Sequence, residues 1–60
     1  MEGNERREYL WKLLSESREP LSGTVLAQKL NVSRQVIVQD IALLRAVNKN
    51  ILSTAYGFLV

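Results

Sequence analysis

Apolar positions recur at helical spacing in three separate windows of the chain. Leu10, Leu13, Leu14 and Ser17 share one face, flanked by Trp11, while Arg6, Lys12 and Glu16 fall elsewhere on the wheel. This pattern predicts a first helix over about residues 5–17, capped by Asn4 and with Glu5 near its positive end. Pro20 blocks its continuation, and Leu26, Ala27 and Leu30 mark the inward stripe of a short second helix over about residues 23–30, with Ser22 as cap. Ile37, Ile41 and Leu44 define the buried face of a third helix over about residues 34–47, capped by Ser33 and stopped by Asn48-Lys49-Asn50. Between the second and third helices only Asn31-Val32-Ser33 remains, a turn in which Asn31 can take the left-handed conformation. The pattern then changes. Ile51 to Thr54 and Phe58 to Val60 are β-prone runs on either side of Ala55-Tyr56-Gly57, and they predict a hairpin over about residues 51–60 with a positive φ at Gly57. A lone hairpin is marginal, so Ile51 and Phe58 are expected to pack it on the helices.

This order of elements predicts a mainly α fold with a small β-hairpin: a winged helix-turn-helix, that is, a three-helix bundle plus wing, in one domain over residues 1–60. A short helix with a small inward residue, Ala27, followed by a tight turn and a capped helix, leaves the N-terminal half of the third helix standing out of the fold. An α-helix fits the major groove of duplex DNA. The outward positions there are Arg34 and Gln35 in the first turn and Val38 and Gln39 one turn later. Arg pairs bidentately with guanine and Gln with adenine, and Val38 offers a methyl surface to thymine. Ser33 and Thr24, beside helix starts, are candidate phosphate contacts, and Tyr56 at the hairpin tip is a candidate backbone or minor-groove contact. No acid interrupts the stretch from Ser33 to Gln39.

Composition narrows the function classes. Sixty residues form a marginal core and leave no room for a deep catalytic cleft. The chain has neither Cys nor His, which removes disulfides, the commonest zinc ligands, the usual general base and the nucleophile–histidine arrangements, so no enzyme is expected. No apolar run approaches the roughly 20 residues that span a bilayer, and a cytoplasmic protein is expected, with no membrane partner. The net charge of +2 is unevenly spread. Through Glu19, five acids face Arg6, Arg7, Lys12 and Arg18; from Pro20 onward, Lys29, Arg34, Arg45 and Lys49 face only Asp40.

Each candidate also has a plainer role. Ser33 caps its helix whether or not it meets a phosphate, Arg34 can pair with a carboxylate, and exposed glutamines are ordinary helix surface. Arg45 near a helix end is expected to meet the helix dipole or a neighbouring acid, and Asp40, bordering the buried face, to make a structural hydrogen bond. Trp11 is expected in the core.

The stretch from Leu26-Ala27 through Asn31-Val32-Ser33-Arg34-Gln35-Val36-Ile37-Val38-Gln39-Asp40-Ile41-Ala42-Leu43-Leu44-Arg45-Ala46 resembles the N-terminal domain of niacin-responsive transcriptional repressors, within the winged-helix class shared with biotin-operon repressors. Pro20-Leu21-Ser22-Gly23 and the wing from Asn50 to Thr54, with Gly57-Phe58, extend the likeness from about Leu10 to the end. Asn48 stands where that family commonly has a glycine, and Ala55-Tyr56 where its wing often carries Pro-Arg. The resemblance implies repression of genes of nicotinate and NAD metabolism through operator binding. It also implies that nicotinic acid and a divalent metal are handled by a separate, histidine-bearing C-terminal domain, and a homodimeric parent protein is compatible with it. The chain is accordingly expected to be a domain of a longer regulator. Two alternatives come from other classes: a winged-helix protein-interaction module using Val36 and Leu43, and the regulatory head of a biotin ligase-type enzyme.

Overall fold

The computed structural model describes residues 2–60. Three helices, α1 (Gly3–Glu16), α2 (Gly23–Leu30) and α3 (Arg34–Ala46), precede an antiparallel hairpin of β1 (Leu52–Thr54) and β2 (Gly57–Leu59). The architecture is mainly helical, a winged helix-turn-helix. Leu10 and Leu14 of α1, Leu26, Ala27 and Leu30 of α2, Ile37, Ile41 and Leu44 of α3, and Ile51 ahead of the wing form one buried cluster. Trp11, Leu13, Leu21, Val32 and Phe58 close over it, so both the tryptophan and the wing phenylalanine belong to the core's edge.

The helix ends follow local chemistry. Ser22 Oγ accepts from the Val25 N–H at 3.1 Å, and Ser33 Oγ from the Val36 N–H at 3.3 Å. At the end of α2, Asn31 sits at φ 55°, ψ 47°. There the Val32 N–H donates to Ala27 and the Asn31 N–H to Gln28, the paired bonds of a Schellman motif. The same arrangement ends α3: Asn48 takes φ 68°, the Lys49 N–H donates to Leu44 and the Asn48 N–H to Arg45. Asparagine thus fills the left-handed position at the end of both helices.

Several expectations are corrected. Asn4 does not cap α1; Glu2 does, its carboxylate accepting the Asn4 N–H, and α1 starts at Gly3. A carboxylate suits this site because the helix N-terminus carries partial positive charge. Ser17 ends α1 instead of extending its stripe, its hydroxyl bonding to the backbone of Glu19. The hairpin connection is two residues, Ala55 and Tyr56, with Gly57 already paired to Thr54. The Thr54 hydroxyl closes it, accepting from the Tyr56 N–H and donating to the Gly57 carbonyl. Leu21 pairs with Phe58 through bonds of 2.9 and 2.8 Å and anchors the wing to the segment before α2.

Candidate nucleic-acid interface

α3 divides its residues between two environments at helical spacing. Ile37, Asp40, Ile41 and Leu44 are buried, whereas Arg34, Gln35, Val38 and Gln39 are exposed. Val38 exposes 43% of its surface between the two glutamines, so an apolar side chain stands on the outer face with an amide on either side. Ser33, directly before the helix, is exposed too. Thr24 is exposed on the first turn of α2, and Tyr56, 82% exposed, projects from the hairpin turn. All seven candidate positions are therefore open to a partner, but they fall into groups. Gln35, Val38 and Gln39 share one face of α3, while Arg34 and Tyr56 line a cleft between the start of that helix and the wing. Thr24 and Ser33 do not line this cleft.

Among the described residues Arg34 is within salt-bridge distance of no carboxylate, so the plainer role of an ion pair does not engage it. Its stem lies across Gly23: a methyl group added there would stand 3.3 Å from Arg34 Cγ and 3.2 Å from Nε.

Arg45 lies in the last turn of α3, where its charge suits the helix dipole, but among the described residues it pairs with no acid; its Nε and Nη2 donate to the Ile51 carbonyl at 3.0 and 2.8 Å, and Nη2 also donates to Ser53 Oγ at 2.8 Å. One guanidinium fork thereby ties the end of α3 to the root of the wing. Lys49, just beyond, places its ammonium 5.2 Å from the centre of the Trp11 ring.

Asp40, only 1% exposed, makes the structural contact expected of it, and its partners come from α1. Arg6 donates from Nε to one carboxylate oxygen and from Nη2 to the other at 2.9 Å; Arg7 adds a bond at 3.3 Å. Burial by itself raises the pKa of this carboxyl. The hydrogen bonds and charge of Arg6, then those of Arg7, outweigh that effect and hold it below its ordinary value. The same bond to Asp40 raises the Arg6 pKa. The only acid of α3 is thus withdrawn from the outer face and neutralised beneath it. Sequence periodicity places Asp40 at the edge of the buried stripe but gives no sign of partners more than 30 positions away.

The chain has no His or Cys, and among the described residues no three of His, Cys, Asp and Glu converge. The described residues do not fit a divalent metal, whose site needs several such ligands in one place. Nor is any described helix long and apolar enough to cross a membrane. The protein-interaction alternative rests on Val36 and Leu43; Val36 is half-buried and Leu43 half-exposed.

Comparison with known proteins adds to this geometry. The chain is 55% identical over 56 residues to the transcription repressor NadR of Bacillus subtilis, covering 93% of this chain and 31% of that protein. It is 50% identical over 56 residues to the probable transcription repressor NiaR of Thermotoga maritima, covering 93% of this chain and 32% of that one. The chain spans about a third of the length of these curated relatives. The HTH domain family matches residues 6–58, a span that takes in all three helices and both paired strands apart from their outermost residues, and the chain belongs to that family of helix-turn-helix domains.

Proposed function

We propose that this chain is the sequence-specific, duplex-DNA-binding head of a transcriptional repressor and has no enzymatic activity of its own. The observation that carries the reading is the acid-free outer face of α3, where Gln35, Val38 and Gln39 stand exposed on a helix whose opposite side is locked into the core. Glutamine amides match the donor and acceptor pair of adenine in the major groove, and the Val38 methyls match the methyl of thymine. The identity to two proteins named as transcription repressors supports the same reading.

The regulated genes in this proposal are those of nicotinate and NAD metabolism, and the protein works in the cytoplasm. Nicotinic acid and a divalent metal act on a part of the parent protein other than these residues, which lack the ligands for the metal. The parent acts as a homodimer, because paired heads on half-sites about one helical turn apart convert two weak contacts into a specific one.

Selection from a pool of random duplexes tests the reading. The chain is expected to enrich a discrete motif, and the double variant Gln35→Ala/Gln39→Ala to lose preference at two positions of it, by about tenfold at each. Affinity should also fall steeply with salt, as it does whenever phosphates are neutralised by cations. A double variant that enriches the same motif as strongly as the parent chain would remove the glutamines from the reading face. Binding to duplex that is insensitive to salt would point to the protein-interaction module instead.

A further inference from the structure

We infer that the cleft between the start of α3 and the wing holds a phosphate of the DNA backbone, with Arg34 as its cation rather than as a reader of bases. The inference rests on the proposal that the chain binds duplex DNA.

The cleft encloses about 280 Å³, and Ser22, Arg34, Ser53, Thr54 and Tyr56 contribute its polar lining. Its chemistry is one-sided. No carboxylate lines it, and Arg34 brings a permanent positive charge in a planar fork of donors suited to phosphate oxygens. The hydroxyls of Ser22 and Ser53 are each engaged as acceptors, from the Val25 N–H and from Arg45 respectively. Each therefore keeps its own O–H to donate. Thr54 has both its accepting and its donating capacity committed within the hairpin turn and serves as wall.

The orientation of Arg34 separates phosphate from base. To read guanine from the first turn of a recognition helix, an arginine has to run outward into the groove, edge-on to O6 and N7. Arg34 instead runs over Gly23, its Cγ, Cδ and Nε all within 4 Å of where a methyl group there would stand, and the residue lines the cleft that faces the wing. Gly23, buried beneath that stem, leaves the space the arginine occupies. The opposite wall is braced: Ser53 is held by Arg45, and the hairpin is pinned to Leu21 through Phe58, so the wing side of the cleft is fixed before any ligand arrives.

Phosphate and base contacts leave different signatures, since phosphate contacts weaken all sequences alike whereas base contacts carry selectivity. The test compares a duplex recovered by selection with a scrambled duplex of equal length, each titrated over a range of salt. Arg34→Ala is expected to lower affinity for both by about the same factor, roughly tenfold, leaving their ratio unchanged and reducing the salt slope by about 0.9. Arg34→Lys retains the charge and should keep the slope. Gly23→Ala, which displaces the arginine stem, should weaken both duplexes to a lesser degree and have no further effect when added to Arg34→Ala. Collapse of the ratio in Arg34→Ala, with the native chain still binding, would make Arg34 a base reader and overturn this inference alone. Failure of the native chain to bind either duplex with a steep salt dependence would overturn the proposed function as well.

Discussion

Gly57 is fixed by two independent requirements at once. Its φ of +137° lies where L side chains are strained, and a Cβ there would stand 2.5 Å from the backbone of Leu21. The contact is backbone, which cannot swing aside as a long side chain can. Gly57→Ala is therefore expected to cost at least about 2 kcal/mol and to detach the wing from Leu21. Urea denaturation checks the first effect, and loss of protection at the Leu21 and Phe58 amides the second; unchanged stability would contradict the close approach. Asp40 presents the opposite case, a side chain whose value lies in its charge. Because its carboxyl sits below the ordinary value of 3.8 in the fold, the unfolded chain takes up its proton more readily. The stability it contributes is complete at neutral pH and is lost as pH falls through and below that value. Asp40→Asn, which leaves Arg6 and Arg7 without a carboxylate, is expected to cost about 2 kcal/mol at neutral pH. The gap between variant and parent should narrow on acidification to about pH 3. Denaturation midpoints measured at both pH values decide it, and a gap that stays constant would mean that packing, not charge, is what Asp40 supplies.

At the scale of elements, the wing is held by bonds that no local pattern announces. Arg45 closes it from the end of α3, and Leu21 pairs with its second strand. Arg45→Ala removes three donated hydrogen bonds to Ile51 and Ser53 while leaving the helical core intact. Its expected result is faster amide exchange in β1 and β2 with little change in α1 and α2. Uniform acceleration throughout the chain would show instead that wing and helices open as one unit. What could be read from the sequence divides along this line. The serine caps, the left-handed Asn31, the three inward stripes and the outward positions of Gln35, Val38 and Gln39 all depend on neighbours within one or two turns, and such chemistry is written locally. The Asp40 partners, the target of Arg45 and the direction of Arg34 depend on elements brought together only by folding. For Arg34 the local pattern shows an outward position in the first turn of α3, while its course over Gly23 follows from α2 being packed beneath it. The start of α1 was misplaced for a subtler reason, because Glu2 and Asn4 are both competent caps and only the backbone decides between them.

For the molecule as a whole, stability and binding are coupled by the smallness of the core. A domain of 60 residues is expected to be stable by only about 3–9 kcal/mol. Among the described residues nine side chains supply the buried cluster, and Leu26, with none of its surface exposed, is among the most deeply set of them. Truncating such a leucine costs about 2.7–5 kcal/mol, a large share of that total. Leu26→Ala should therefore leave a substantial unfolded population at neutral pH and ambient temperature. The outer face of α3 is untouched by this substitution, so the folded fraction keeps the surface proposed to read DNA. Any ligand that binds only the folded form stabilises it, by about 2.7 kcal/mol at a hundredfold excess over its dissociation constant. Titrating the variant with its selected duplex at low salt should accordingly restore helical circular dichroism, and a scrambled duplex should do so only at higher concentration. Added salt should reverse the rescue, because it weakens binding while leaving the buried core nearly unaffected. A variant that stays unfolded at saturating duplex would separate the folded surface from DNA binding, since the duplex would then have no preference for the folded chain.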